Sequence, residues 1–229
     1  MNNKICIIPA RSGSKRIKNK NLKEIAGKPL ISWTIECALN SDIFDEIILS
    51  TDCEKILSIG KEYGLPQREI RPGNLSDDNA TAVDVISHYL EGNKYKNSKV
   101  CYLQPTSPLR SAGDVKDSFE LMEREQAYSV ISVNEYETPE NWIYNPDYGF
   151  DYFVQSLSAK RSQDYPKKYV LNGAIYWFLS EKFCEYKTHL IPKKVFPYFM
   201  PKERSVDIDN QIDLDFANFL LKKSLLKSK

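Results

Sequence analysis

Short apolar runs alternate with segments of helical periodicity over residues 4–133 of the chain. The runs are rich in β-branched residues and are bounded by turn residues, which is typical of buried strands. They cover Lys4–Ile8, Glu46–Ser50, Lys99–Leu103 and Ser129–Val133, and Arg68–Arg71 is a weaker candidate for a further short strand. This part of the chain is therefore predicted to form a sheet.

Between these runs, apolar residues recur every three or four positions, as on one face of a helix. The predicted helices are Pro29–Ser41, Glu54–Tyr63, Ala80–Leu90 and Asp114–Glu125, followed near the end by Asn210–Leu221. Alternating strands and helices predict an α/β fold with a mostly parallel sheet and helices on both faces. Ligands of such sheets bind beyond the carboxyl ends of the strands. The loops after Ile8, Ser50 and Leu103 are therefore the candidate site.

The pattern changes after residue 134. The stretch Asn134–Tyr169 is rich in Tyr, Asn, Asp and Pro and has weak periodicity, so we expect an insertion, built of hairpins, that leaves the main sheet. Asn172–Leu179 and Phe196–Met200 are predicted to return as strands. The basic tail Lys222–Lys229 is predicted to be a frayed, solvated end. The length of 229 residues suits one domain, residues 1–229.

Composition narrows the classes of partner. The 32 basic and 31 acidic residues nearly balance, so net charge does not predict a nucleic acid or membrane partner, and any anion site must be local. The five cysteines are scattered without a CxxC pair, which argues against a zinc or redox site and fits a reducing compartment. No signal-peptide core or membrane-length apolar run is present, and we expect a cytoplasmic protein.

A basic loop follows the first predicted strand. It spans residues 10–21, contains no acidic residue and carries five cations, which are Arg11, Lys15, Arg16, Lys18 and Lys20. The Ser12-Gly13-Ser14 turn allows backbone N–H groups to face an anion. The loop fits a triphosphate cradle, although it is neither a Walker A loop nor a dinucleotide-binding fingerprint. A merely solvated basic loop is the alternative.

Two aspartates precede the last predicted helix. In an extended segment Asp207 and Asp209 point to the same side, because side chains alternate along a strand. Paired carboxylates are suitable ligands for Mg²⁺, which also binds substrate phosphates. The alternative is that Asp209 caps the helix and Asp207 is simply exposed.

Two further polar loops follow predicted elements. Gln104 and Arg110 bracket a segment with two prolines directly after a buried strand, where they are placed to contact a ligand or to form a structural turn with a salt-bridged arginine. Arg71 begins the other loop, which ends at Thr81. Helix capping by Ser76, Asp77 or Asp78 is the structural alternative there.

Taken together and in this order, these segments resemble the CMP-sialic acid synthetase family, the acylneuraminate cytidylyltransferases. The resemblance implies a Rossmann-like, three-layer nucleotidyltransferase fold. The resembling stretches run from Ile7 to Ala217 and are IIPARSGSKRIKNKN, GKPLISWTIECAL, FDEIILSTD, RPGNLSDDNAT, LQPTSPLR, NGAIYW and SVDIDNQIDLDFA.

The resemblance implies transfer of CMP from CTP to the anomeric hydroxyl of a nine-carbon 2-keto sugar acid, with release of pyrophosphate and use of one or two Mg²⁺ ions. Arg11, Lys15 and Asp209 take the catalytic positions, and Asp207 and Asp209 the metal-binding ones. The implied nucleotide contacts are Ala10, Arg11, Ser14, Lys15, Lys20, Asn21, Arg71, Ala80 and Thr81. The implied sugar contacts are Gln104, Arg161, Asn172 and Tyr176. The resemblance also implies a homodimer in which a projecting segment within residues 134–170 reaches the partner's active site.

Two positions depart from the family pattern. Ala82 stands where some relatives have a hydroxyl residue, and Ser162 stands where an arginine often precedes Gln163, so Arg161 is the candidate replacement. The NGAIYW stretch is closer to synthetases for N-acetylneuraminic or legionaminic acid than to those for pseudaminic acid. The alternatives are an enzyme for pseudaminic acid, for an eight-carbon Kdo-type acid or for a sugar phosphate, or a catalytically silent nucleotide-binding homologue.

Overall fold

The computed structural model describes residues 3–66, 68–157 and 160–227. The strands are β1 (Lys4–Pro9), β2 (Glu24–Ile25), β3 (Lys28–Pro29), β4 (Glu46–Ser50), β5 (Lys99–Tyr102), β6 (Ser129–Tyr136), β7 (Lys168–Leu179) and β8 (Val195–Phe199). The helices are α1 (Leu30–Ser41), α2 (Glu54–Glu62), α3 (Ala82–Leu90), α4 (Ala112–Arg124), α5 (Phe150–Ser156), α6 (Ser180–Tyr186) and α7 (Gln211–Lys227).

Six strands form the central sheet in the order β4-β1-β5-β7-β6-β8, and β2 and β3 form a separate small hairpin. Strand β1 pairs in parallel with β4 and β5, and β6 pairs in parallel with β8. Strand β7 runs antiparallel to both β5 and β6. The predicted α/β class and mostly parallel sheet are confirmed.

The core lies on both faces of this sheet because side chains alternate along each strand. Cys6 and Ile8 of β1 face the layer that contains α1, α2 and α4. Ile5 and Ile7 face the layer that contains α3 and α6. The result is the predicted arrangement of three layers, and it brings the ends of β1, β4 and β5 to one edge.

The predicted strand at Arg68–Arg71 is wrong. The backbone N–H of Arg71 donates to Thr51 O at 2.8 Å, but no ladder forms along this stretch of the described chain. The following helix begins at Ala82, two residues later than predicted. Thr81 caps it by accepting a hydrogen bond from the N–H of Asp84, whose carboxylate accepts one from the N–H of Thr81. Capping of this helix by Ser76, Asp77 or Asp78 is therefore also wrong.

The insertion is shorter than predicted and contains helical turns instead of hairpins. Pairing between β6 and β7 includes Asn134 with Val170 and Tyr136 with Lys168, so both ends of the predicted insertion belong to the sheet. We use the name projecting segment for residues 137–167, which leave the sheet. Its described parts form α5 and 3₁₀ turns at Glu140–Trp142, Pro146–Tyr148 and Ser162–Asp164.

The basic tail is helical, and the predicted frayed end is wrong up to Lys227. Residues 228–229 lie outside the described residues. Cations at the C-terminal end of a helix interact favourably with its dipole, which suits Lys222 and Lys223 to this position. Among the described residues, no helix combines the length and apolar character needed to cross a bilayer.

Candidate active site

A cleft of about 440 Å³ opens where β1 and β5 end. This is the edge at which the alternation of strands and helices predicted a ligand site. The structure brings most of the predicted site residues into its lining, and these are Arg11, Ser14, Lys15, Lys20, Asn21, Arg71, Ala80, Thr81, Gln104 and Asp209.

The basic loop has a defined conformation fixed by neighbouring elements. Asp52, which follows β4, accepts hydrogen bonds from the N–H and the hydroxyl of Ser12, each at 2.7 Å. The buried amide of Asn21 donates to Arg11 O at 3.0 Å. Ala10 is fully buried and donates its N–H to Ser50 O, so it lies behind the cleft lining. These contacts favour the cradle over a merely solvated loop.

The basic loop meets residues 205–209, here called the aspartate segment, at the cleft. Lys20 Nζ donates to Ile208 O at 2.6 Å, and a guanidinium nitrogen of Arg16 lies 2.7 Å from Asp209 Oδ2. Burial lowers the pKa of Lys20, while the nearby carboxylates of Asp209 and Asp207 act in the opposite direction. Segments almost 190 residues apart therefore form one site, with Lys20 and Ile208 separated by 188 positions.

The aspartate segment has the predicted alternation. Ile208 is fully buried, whereas Asp207 and Asp209 are exposed on either side of it. The N–H of Ile208 donates to Thr106 O at 2.8 Å, which attaches the segment to the loop after β5. The two carboxylates are thus held on the same side, next to the cleft.

The capping alternative for Asp209 is not what the structure shows. The side chain of Asn210 accepts a hydrogen bond from the N–H of Asp213, and Asp213 accepts from the N–H groups of Asp209 and Asn210. The N-terminus of α7 is therefore capped without the Asp209 carboxylate. That carboxylate faces Arg16 instead.

The aspartate pair fits a hard divalent cation. Loss of hydration raises the pKa of Asp207, the negative charge of Asp209 adds to this, and contacts with Thr106 and Lys20 oppose it. Carboxylates that repel one another are stabilised by a shared cation. Among the described residues no cluster of three or more His, Cys, Asp or Glu ligands is found. A magnesium ion here would take its other oxygens from phosphate and water, as this ion commonly does.

An acidic loop pairs with the cations of the basic loop. Lys15 Nζ lies 2.8 Å and a guanidinium nitrogen of Arg11 lies 3.3 Å from the carboxylate of Asp78. The hydrogen bond from Lys15, together with the charge of Arg11, lowers the pKa of Asp78. A bound triphosphate would compete with Asp78 for these two cations.

Arg71 also lines the cleft. This side chain is 3% exposed, and its guanidinium donates to Ser76 Oγ at 3.1 Å and to Ser50 Oγ at 3.4 Å. Ala82 lines the cleft as well and presents a methyl group there. The hydrogen-bonding capacity of this part of the cleft therefore comes mainly from Arg71 and the turn before α3.

Gly173 allows two predicted site residues to approach each other. Its φ of +74° is in the region that favours glycine. A Cβ atom here would lie 3.2 Å from Gln104 Oε1 and 3.5 Å from Asp207 Oδ2. The glycine of the NGAIYW stretch therefore brings the predicted sugar contact Gln104 next to the predicted metal ligand Asp207.

Asn172 and Tyr176 do not line the cleft. They are 5% and 8% exposed, respectively. The amide of Asn172 accepts from Ser132 Oγ at 2.6 Å and donates to Ser205 Oγ at 3.0 Å. Burial raises the pKa of Tyr176. Neither residue belongs to the cleft lining, and their predicted contact with sugar stays a prediction.

Arg161 is not brought to the cleft of its own chain. It lies exposed on the projecting segment, with its guanidinium 3.0 Å from Asp164 Oδ2. The side chain of Ser162 lies outside the described residues. The predicted contact of Arg161 with the sugar therefore stays a prediction.

Arg110 is a buried structural residue, but it forms no salt bridge with the residues that the structure describes, so the expected salt bridge is wrong. Its guanidinium donates to Ala174 O at 2.6 Å, to Gln104 O at 3.2 Å and to Thr34 Oγ1 at 3.0 Å. Backbone carbonyls thus take the place of the expected carboxylate, and Arg110 ties the Gln104 loop to β7.

Reasoning from sequence missed Asp52, Asp78 and Thr106. Asp52 stands two residues after Ser50, in one of the three loops predicted to form the site. Its position in the sequence is therefore sufficient to make it a candidate. In the sequence, Asp78 is a candidate only for a helix cap. The carbonyl of Thr106 carries no signal in the sequence, because any residue supplies one.

Comparison with known proteins identifies the family. A family model described as cytidylyltransferase matches residues 5–222. The chain belongs to this cytidylyltransferase family. The resemblance to CMP-sialic acid synthetases is confirmed, and the protein is a nucleotidyltransferase.

Relatives of this cytidylyltransferase act on different sugars. Pseudaminic acid cytidylyltransferase of Campylobacter jejuni is 38% identical over 226 residues, covering 95% of the chain and 96% of that protein. CMP-N,N'-diacetyllegionaminic acid synthase of Legionella pneumophila is 32% identical over 219 residues, covering 91% of the chain and 92% of that protein. N-acylneuraminate cytidylyltransferase of Escherichia coli O18:K1:H7 is 35% identical over 217 residues, which are 93% of the chain but 51% of that longer protein.

The fold of this cytidylyltransferase matches solved structures. CMP:2-keto-3-deoxy-manno-octonic acid synthetase complexed with CTP has a TM-score of 0.72 and 16% identity, and the match covers 97% of the chain and 99% of that structure. A 4-diphosphocytidyl-2C-methyl-D-erythritol synthase of Anaerococcus prevotii has a TM-score of 0.68 at the same identity, covering 96% of the chain and 99% of that structure. At this identity the likeness concerns the fold.

Proposed function

We propose that this cytidylyltransferase transfers CMP from CTP to the anomeric hydroxyl of a nine-carbon 2-keto sugar acid of the sialic acid type and releases pyrophosphate. The family supports nucleotidyl transfer from CTP. The observation that carries the proposal is the meeting of the basic loop and the aspartate segment at one cleft, through Lys20 with Ile208 and Arg16 with Asp209.

The residues of the cleft suit in-line substitution at the α-phosphorus of CTP. The attacking hydroxyl oxygen forms a bond to this phosphorus as the bond to the pyrophosphate oxygen breaks. Such transfer depends mainly on positioning and charge stabilisation. Arg11 and Lys15 hold the phosphates and stabilise the leaving charge, while Asp52 fixes the loop that carries them.

Asp207 and Asp209 are the proposed ligands of one or two Mg²⁺ ions. A magnesium ion bound there would neutralise phosphate charge and lower the pKa of a coordinated hydroxyl. The raised pKa of Asp207 and the proximity of the two carboxylates support this assignment. The contribution of the chain is to hold both carboxylates on the cleft side of buried Ile208.

A homodimer is part of the proposal. The projecting segment exposes large aromatic side chains, among them Tyr148 at 67%, Phe150 at 59% and Tyr152 at 66%. Exposed apolar patches of this kind commonly mark an interface. In the proposed dimer, the segment of one subunit brings Arg161 to the sugar carboxylate in its partner's cleft.

Pseudaminic acid is a second candidate for the sugar. Two Campylobacter jejuni relatives that act on it are 38% and 37% identical to the chain, compared with 32% for the legionaminic acid enzyme. These identities do not favour the prediction, made from the NGAIYW stretch, that the sugar is N-acetylneuraminic or legionaminic acid. The choice among nine-carbon acids is therefore left to direct measurement.

The test is pyrophosphate release with a panel of acceptors. N-acetylneuraminic, legionaminic, pseudaminic and Kdo acids are each supplied with CTP and Mg²⁺, and the best acceptor is repeated with ATP, GTP and UTP. We expect turnover with CTP and a nine-carbon acid, and its loss on addition of EDTA. Preference for the eight-carbon acid or for a sugar phosphate would overturn the substrate class. Absence of turnover with every acceptor would favour a silent homologue.

A further inference from the structure

Helix α7 carries an apolar stripe on the side that faces away from the protein. Ile212 is 79% exposed, Phe216 51%, Phe219 59% and Leu226 75%. Residues separated by three, four or seven positions share a helix face, and this is the spacing of a coiled-coil seam. Exposed apolar surface of this extent and regularity indicates an interaction site.

The other face of α7 already has its partners. Leu214, Ala217 and Leu221 are buried against a cluster that includes Ile17 and Leu30. The helix is therefore anchored by one face, and the opposite face stays available as a rigid surface. A rigid helical surface loses little conformational entropy when it docks.

The stripe is self-complementary about Phe219. Ile212 lies seven positions before Phe219 and Leu226 lies seven positions after it. Asp215 lies four positions before and Lys223 four positions after. If two such helices pack antiparallel about a two-fold axis through Phe219, Ile212 of one helix meets Leu226 of the other. In the same arrangement the carboxylate of Asp215 meets the ammonium group of Lys223.

One more pair obeys the same symmetry. Phe216 lies three positions before Phe219, and Lys222 lies three positions after it. The antiparallel arrangement therefore places a lysine beside an exposed aromatic ring, which is favourable for a cation–π contact. Neither Lys222 nor Lys223 forms an ion pair with another described residue, so both ammonium groups are available.

We propose that α7 docks antiparallel on α7 of a second copy of this chain, about a two-fold axis at Phe219. A two-fold contact uses the same surface on both copies and requires this kind of self-complementarity. The contact is separate from the projecting segment and independent of the proposed reaction. A single helix pair buries less area than a standard interface, so the association depends on protein concentration.

Sedimentation of the full chain over rising concentration tests the proposal. We expect the wild type to double in mass at the upper concentrations and the Phe219→Glu variant to lose this step. Leu190→Glu makes the same kind of change at a leucine that is 43% exposed elsewhere, and it should associate like the wild type. Equal masses for wild type and Phe219→Glu at every concentration would overturn the proposal.

A charge exchange tests the register. Asp215→Lys alone should weaken the association, because it places like charges opposite each other across the axis. Adding Lys223→Asp to the same chain restores opposite charges and should restore the mass. Failure of the double variant to recover would contradict the antiparallel register.

A lipid surface is the rival occupant, since a basic helix with an apolar face also suits a membrane. The wild type is mixed with vesicles of phosphatidylcholine containing phosphatidylserine and sedimented. Mass doubling without vesicle binding supports the pairing of two copies. Vesicle binding by a chain that does not self-associate would overturn it.

Discussion

Single side chains of opposite charge hold one another at the cleft. Asp78 contacts Lys15 and Arg11, and Asp209 contacts Arg16. Each of these ion pairs is exposed, and exposed pairs contribute little to stability. The pairs of Asp78 matter for binding, because Lys15 and Arg11 are the cations proposed to hold phosphate.

Lys15→Ala should lower turnover by about 10²–10³-fold, because it removes a positioned charge from the phosphates. The side chain is 72% exposed, so the fold should persist. Pyrophosphate release measures the effect. Lys18→Ala is the matched control, since Lys18 belongs to the same loop but does not line the cleft. A Lys15→Ala variant as active as Lys18→Ala would refute the role of Lys15.

Asp78→Asn should lower the KM for CTP by about two- to five-fold, because triphosphate no longer competes with a carboxylate for Lys15 and Arg11. The shift should shrink at high salt, which screens exposed charges. Steady-state kinetics at two salt concentrations measure it. Asp77→Asn is the control, since Asp77 contributes a backbone carbonyl to Arg11 and its side chain caps the local turn. A KM that rises in Asp78→Asn would contradict competition.

At the scale of elements, the start of α4 is tied to the turn before the aspartate segment. Asp114, 1% exposed, accepts two hydrogen bonds from Arg204, at 2.7 and 2.8 Å, and one from the N–H of Ser111. Burial alone would raise the pKa of Asp114, but the contacts with Arg204 and Ser111 outweigh it and the pKa is lowered. This pair therefore positions the chain three residues before Asp207.

Asp114→Asn should destabilise the fold by about 2–3 kcal/mol, because it leaves Arg204 without its carboxylate while weakening the helix cap. Urea unfolding at neutral pH measures the loss. Asp84→Asn changes the equivalent capping aspartate of α3, which is exposed and contacts no arginine among the described residues, and should cost less. Equal losses for the two variants would show that the Arg204 contact adds nothing.

The same variant has an expected pH dependence. Because the pKa of folded Asp114 is below its ordinary value, its contribution to stability is complete above that ordinary value. The contribution is lost as the pH falls through the lowered value. The difference in unfolding free energy between wild type and Asp114→Asn should therefore be constant near neutral pH and shrink in acid.

At the scale of the whole molecule, the described cleft contains the nucleotide side of the proposed site but not Arg161. The projecting segment that carries Arg161 exposes an aromatic surface, and its described residues form no strand of the sheet. A site completed by a second subunit accounts for both observations. In the proposed dimer, each complete site would draw residues from both subunits.

Mixing two inactive variants tests sharing between subunits. Lys15→Ala and Arg161→Ala chains, dissociated and reassociated together, should recover about a quarter of wild-type activity, because half of the dimers are mixed and each has one intact site. Pyrophosphate release before and after mixing measures the recovery. A mixture no more active than its parents would argue for sites made within single chains.

Much of this architecture was predictable because periodicity records burial. The strands of the parallel part of the sheet and the helices over them follow from the apolar pattern, and the loops after Ile8, Ser50 and Leu103 do converge. The prediction of a strand at Arg68–Arg71 was wrong because a strand needs a neighbouring strand to pair with, and the local sequence does not specify that neighbour. The hydrogen bond from Lys20 to Ile208 could not be predicted either, because the tertiary fold joins these residues across 188 positions of the sequence.

The pairing of cleft cations with Asp78 and Asp209 has a consequence for selectivity among polyanions. A groove with bare guanidinium and ammonium groups would attract RNA, polyphosphate and any abundant metabolite anion. Because carboxylates offset the charges of Arg11, Lys15 and Arg16, this groove attracts polyanions less strongly at long range and favours a ligand that displaces both carboxylate contacts at once. A compact triphosphate accompanied by a divalent cation meets that condition, whereas a nucleic acid backbone of spaced single charges does not.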